Sequence, residues 1–122
     1  RIRIHSSGDF FSLEYLRAWQ EVARRNPGIT FFTYTRTWIF ADYRAALAEC
    51  PPNMIVLWST DPSMPDPRDI GRTDGISWIN VDARAPLAPN CLKQATKHTN
   101  NPRGCNVCGI CTRGRSVCLI KH

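Results

Sequence analysis

The chain has no cysteine before Cys50, no Asp or Glu after Asp82, and no glycine-rich phosphate motif. Without G-x-x-x-x-G-K-[ST] or G-x-G-x-x-G, the two commonest backbone cradles for nucleotide phosphates are excluded. No apolar run approaches the roughly 20 residues of a membrane span, so no membrane segment is expected. No secretory signal, internal repeat or low-complexity tract is visible. A reducing cytoplasm is therefore the expected location, where cysteines serve metals more often than disulfides. An initial Met is also missing: the chain starts at Arg1 and enters a strand-like segment at once, which suggests a fragment or a processed chain.

What is present fits one soluble globular domain. Its 122 residues, 43% hydrophobic and 21% charged, are enough to bury a real core. Charge is unevenly placed. Residues 1–82 hold nine Lys or Arg against ten Asp or Glu, whereas residues 83–122 hold seven cations (Arg84, Lys93, Lys97, Arg103, Arg113, Arg115 and Lys121) and no carboxylate. Such a basic stretch suits nucleic acid, or offsets the formal −2 charge of a zinc ion bound by four thiolates.

Hydrophobic periodicity predicts the elements. Arg1 to His5 alternates as a strand. Ser12 is a good N-cap, with Phe11 and Leu16 spaced as a hydrophobic staple, and Leu13, Leu16, Trp19, Val22 and Ala23 mark one helix face. Asn26-Pro27-Gly28 ends that helix, and Ile29 to Tyr34 is a β-rich run. A second helix runs from about Asp42 to Glu49, stopped by Pro51-Pro52. The continuous apolar run Met54 to Trp58 suits a strand covered on both faces. A long loop spans Asp61 to Gly75, Ile76 to Val81 is a fourth strand, and Ser116 to Lys121 has room for a short fifth. Strands alternating with helices imply parallel pairing. The predicted fold is α/β, a partial (β/α) barrel or half of a doubly wound parallel sheet. A single domain is expected over 1–122, with a β-α-β-α-β-β core over 1–84 and a Cys-rich metal-binding lobe over 85–122.

In such sheets ligands meet the carboxyl ends of the strands. Here those ends read His5-Ser6-Ser7-Gly8-Asp9, Thr33-Tyr34-Thr35-Arg36-Thr37 and Ser59-Thr60-Asp61, which predicts a shared polar cleft. His5 is read as structural, Asp9 as a cap of the turn before the first helix or a ligand contact, and Arg36 as a solvated residue or a holder of phosphate or carboxylate. Trp19, Trp38, Trp58 and Trp78 are expected in the core. No constellation assigns a catalytic residue, so enzymatic activity is left open.

The cysteines carry the sharpest signal. Cys105-Asn-Val-Cys108-Gly-Ile-Cys111 places three thiols at intervals that turn their sulfurs inward around one ion. Cys91 or Cys118 can supply the fourth ligand, and Cys118 also reads as a core residue of the last strand. Zinc and a [4Fe–4S] cluster both accept four thiolates. Zinc is preferred for this chain, because Thr112 follows Cys111 and Leu119 follows Cys118 where a ferredoxin commonly has proline. Cys50 reads as a buried thiol.

The run Ile4 to Ser12 (IHSSGDFFS), the run Tyr34 to Trp38 (YTRTW) and the cysteines at 91, 105, 108 and 111 together resemble the bacteriophage gene-product-88 family of uncharacterised proteins, over almost the whole chain. That family is similar in turn to radical S-adenosylmethionine (SAM) enzymes built on a partial (β/α) barrel. The resemblance implies that Ser7, Gly8 and Asp9 sit where such barrels touch the SAM amino acid, with Tyr34 and Thr35 at the next strand end. It also favours Cys91 as the fourth metal ligand. The N-terminal C-x-x-x-C-x-x-C of radical SAM enzymes is missing, so the resemblance implies an ancestral scaffold or a truncated enzyme that binds SAM weakly or not at all on its own. Within such an enzyme, the C-terminal cysteines would suit an auxiliary cluster or a structural zinc.

Overall fold

The computed structural model describes residues 1–5, 7–79, 81–85 and 111–119. The strands are β1 (Ile2–Arg3), β2 (Phe31–Thr35), β3 (Met54–Ser59), β4 (Ile76–Ile79) and β5 (Val117–Leu119). The helices are α1 (Leu13–Arg25) and α2 (Ala41–Leu47), with 3₁₀ turns at Thr37–Ile39, Pro67–Ile70 and Cys111–Arg113. The five strands pair in chain order, every pair parallel. The sheet is a curled, parallel, five-stranded half barrel, the first of the two expected architectures. The Cys-rich metal lobe of the expected fold falls mostly outside the described residues.

Local chemistry accounts for the first crossover. The Ser12 hydroxyl caps α1 by accepting the Tyr15 amide at 3.1 Å, worth about 1 kcal/mol. Phe11 does not form the expected staple with buried Leu16: it is 79% exposed and stacks on Tyr15 at 4.5 Å. The buried face of α1 also differs from the apolar pattern. Val22 is exposed, while Gln20 is buried and donates to the Ala46 carbonyl at 2.6 Å. A hydrogen-bonded amide tolerates burial, so the helix faces its partner with a polar residue at its centre. Asn53 ties three segments together: its Nδ2 lies 2.8 Å from the Ala23 carbonyl, 3.0 Å from that of Asn26 and 2.9 Å from that of Ile29.

Side chains alternate across the strands. Phe31, Met54 and Val56 face the helices and form the main core with Leu16, Ala23, Trp38 and Ala46. Trp38 stacks on Trp58 at 5.4 Å, the two rings within 3° of parallel. Ile76, Trp78 and Cys118 form a smaller core with Ala85. The opposite face is covered too, since Leu57 and Val117 are buried. The chain around Cys111–Arg113 packs against β2 and β3, and a Cβ placed on Gly114 would lie 3.5 Å from Ile55 Cγ2. The third crossover has no α-helix, only the Pro67–Ile70 turn, which leaves the sheet beside α2 uncovered by any helix of the described chain.

Candidate functional site

The strand ends are joined by side chains. After β1, Gly8 adopts φ +84°, a left-handed conformation that strains other residues, and this turn brings Asp9 across to β2. Asp9 Oδ1 accepts the Thr35 hydroxyl at 2.6 Å and the Phe10 amide at 2.7 Å, while Oδ2 accepts the Arg36 amide at 2.7 Å. Asp9 stands in the turn before α1, where it accepts the Phe10 amide, and its carboxylate also reaches across to β2. Ser12 is the cap, and Asp9 bonds β1 to β2 where their backbone ladder has ended. Thr35 continues the network, its hydroxyl 2.7 Å from that of Thr37.

The next link is ionic. Arg36 Nη1 meets Asp61 Oδ2 at 2.9 Å, joining the ends of β2 and β3. The Arg36 side chain is 55% exposed and that of Asp61 only 14%. Hydrogen bonds from the hydroxyl and amide of Ser63, with Arg36 beside them, hold the Asp61 carboxyl below its ordinary range. Arg84 adds the end of β4. It grips buried Asp82 through Nε at 3.0 Å and Nη2 at 2.8 Å, and donates to the carbonyls of Asp61 at 2.6 Å and Met64 at 2.9 Å. That grip holds the Asp82 carboxyl low. Arg68 repeats the motif with Asp66 and reaches the Arg84 carbonyl at 3.1 Å.

Four strand ends thus form one connected polar rim. Asp82 and Arg84 did not stand out as site residues. A usable signal was present in the repeated Asp-x-Arg of Asp66-Pro-Arg68 and Asp82-Ala-Arg84, where the i, i+2 spacing closes a two-pronged pair. Arg84 had counted only as part of a basic stretch. Of that stretch's cations, Arg84 pairs with Asp82 and Arg115 with Asp74, the latter at 3.3 Å, so both are tied to carboxylates of the preceding region.

The residues expected around a SAM amino acid divide. Asp9 and Thr35 are together on the helix-bearing side, bonded to each other. Tyr34 lies on the opposite face, where Arg3 sits 5.2 Å over its ring. Ser7 and Gly8 are exposed in the turn, and Ser6 is outside the described residues. His5 is held on both ring nitrogens, by Thr33 Oγ1 at 3.2 Å and the Tyr15 hydroxyl at 3.2 Å. Burial lowers its pKa against the opposing pull of Asp9, which favours the neutral ring.

Cys91, Cys105 and Cys108 lie outside the described residues, and of Cys111 only the backbone is described. Cys118 is buried in the small core of β4 and β5. Cys50 accepts a hydrogen bond from Gln20 at 3.4 Å, and burial pushes its thiol pKa up, as an inert thiol requires. Among the described residues no group of three or more His, Cys, Asp or Glu could hold a metal ion, and no helix is long and apolar enough to cross a membrane.

Comparison with known proteins identifies the family. The family model described as Gene product 88 matches residues 1–114. The Gene 88 protein of Mycobacterium phage L5 is 33% identical over 128 residues, covering 97% of this chain and 53% of that protein. The Gene 88 protein of Mycobacterium phage D29 is 33% identical over 129 residues, with the same coverage of 97% and 53%. The chain therefore spans about half the length of these relatives. Neither the family description nor the relatives' names states an activity, and no solved structure matches.

Proposed function

The chain belongs to the gene product 88 family, and from that premise we propose that it is a ligand-binding half-barrel domain that takes a small anionic molecule at the carboxyl ends of its strands. One observation carries this reading. Arg36 keeps its guanidinium largely exposed while Asp61 fixes its direction, and the Arg36 backbone is bonded to Asp9, next to the exposed Ser7-Gly8 turn. An oriented cation beside an open glycine turn at strand carboxyl ends is the arrangement in which parallel α/β folds receive carboxylates and phosphates. The family likeness points to SAM as one such ligand, with Ser7 and Gly8 nearest to it. Asp9 and Thr35 support the turn rather than offering free groups, so affinity for SAM itself is expected to be low in this chain.

The same reading assigns one metal ion to Cys105, Cys108, Cys111 and Cys91, zinc in preference to a [4Fe–4S] cluster. A structural role is supported by the backbone after Cys111. Gly114 is against Ile55, and its carbonyl oxygen would be 3.1 Å from a Cβ on Gly75, just before β4. Both neighbours lie at the amino-terminal ends of β3 and β4, away from the strand-end rim. Elemental analysis should find one zinc per chain, lost in Cys108→Ser with loss of order in the lobe. Finding neither zinc nor iron would sink this assignment.

The strand-end site is tested by amide NMR titration with inorganic phosphate and, separately, with SAM. Phosphate should shift the amides of Gly8, Arg36 and Asp61 and leave them unmoved in Arg36→Ala. Shifts confined to other regions, or none with either probe, would overturn the reading.

A further inference from the structure

β4 joins β3 late. Its register meets only Trp58 and Ser59, so Met54 to Leu57 have no partner on the β4 side. The crossover that would cover this stretch is the one without an α-helix. The result is a groove of about 360 Å³ between α2, the first half of β3 and Gly114. Leu47, Met54, Val56 and Trp58 make it apolar, and Arg44 and Arg72 are its charged lining residues.

Arg72 is unusually placed. Its guanidinium lies 4.9 Å over the Trp58 ring and Nη2 donates to the Val56 carbonyl at 3.1 Å. Its Nε is buried without a hydrogen-bond partner among the described residues. Asp74, the nearest carboxylate in sequence, is occupied by the Gly75 and Ser116 amides and by the Ser116 hydroxyl. A half-buried cation with incomplete hydrogen bonding leaves the groove positive, with no carboxylate among its lining residues.

We propose that this gap in the sheet is a second binding site, for a small amphipathic molecule with an apolar body and one anionic head. The volume is at the lower end of the roughly 300–1,000 Å³ of small-molecule sites and too small for a helix, so the occupant is a small molecule rather than a partner protein. The apolar floor removes the body from water, and Arg72 and Arg44 complement the head. The site is separate from the strand-end rim and does not depend on it.

Decanoate and decanol, equal in chain length and different in charge, decide the matter on the unmodified protein. Decanoate should bind one to one, shift the amides of Leu47, Val56 and Gly114, and bind about ten-fold tighter than decanol. Leu47→Trp, which fills the groove, should abolish binding while keeping a cooperative melt. Arg36→Ala should leave it unchanged, separating this site from the rim. Equal affinity for the two probes, shifts elsewhere, wild-type binding by folded Leu47→Trp, or no binding at about 1 mM would each overturn the proposal.

Discussion

The β1–β3 half of the sheet and the β4–β5 half use the same parallel pairing but satisfy their polar groups differently. In the first half, α1 and α2 cover one face, and Asp9, Gln20, Thr35 and Asn53 each bond across long stretches of sequence. In the second, the buried atoms Arg72 Nε, Ser77 Oγ and Trp78 Nε1 have no hydrogen-bond partner among the described residues. The contrast follows from the crossovers. A full helix brings many side chains over the sheet, whereas the β3–β4 loop offers one 3₁₀ turn, the guanidiniums of Arg68 and Arg72 over two Trp rings, and Asp74, which bonds Ser116. Stability in the first half is fixed by specific polar contacts. The seam between the two halves keeps open groups and space, the usual ground for binding.

Asp9→Ala should break this contrast most strongly. It leaves the Thr35 hydroxyl and two amides without their charged acceptor, at a cost of about 3 kcal/mol in denaturant unfolding. A loss below about 0.5 kcal/mol would mean that water replaces the carboxylate. Asn53→Ala should cost about 2 kcal/mol, because three carbonyls share its amide.

Titration sharpens the comparison. His5 has a folded pKa below its unfolded value, so its contribution is complete above about pH 6.5 and declines as pH falls through that value. Asp61 and Asp82 also have lowered values, and their contributions vanish only at lower pH, below about 4. Unfolding free energy should thus decline in two stages on acidification, and His5→Gln should remove the upper one. An unchanged upper stage in that variant would exclude His5 as its source.

The smallest effect belongs to the other half. Ser77→Ala removes a buried hydroxyl that has no hydrogen-bond partner among the described residues, so stability should stay level or rise by up to about 1 kcal/mol. Trp78→Phe should cost packing area but no hydrogen bond. A large loss for Ser77→Ala in thermal unfolding would show that the hydroxyl is satisfied in solution.

Much of this was legible in the chain. The apolar run Met54 to Trp58 could only be a covered strand, and Ser12 announced the start of α1. The polar strand ends pointed to a shared rim, because parallel strands bring every carboxyl end to one edge. The phage family was legible in short runs whose order matches along almost the whole chain. Less legible were Gln20 and Val22, since helical periodicity scores hydrophobicity and not the Ala46 carbonyl that awaits an amide. Phe11 misled for a similar reason: spacing places it near Leu16, but its ring stacks on Tyr15 instead.

The sequence by itself determined the order of elements, their parallel pairing and the family, because each rests on local propensity or on residues in a fixed order. Only the tertiary structure decided that Asp9 serves β2, that Arg84 belongs to the rim, and that a gap opens beside β3. Those outcomes depend on which distant carbonyls and carboxylates remain unpaired once the strands have met. No local pattern of residues encodes that remainder.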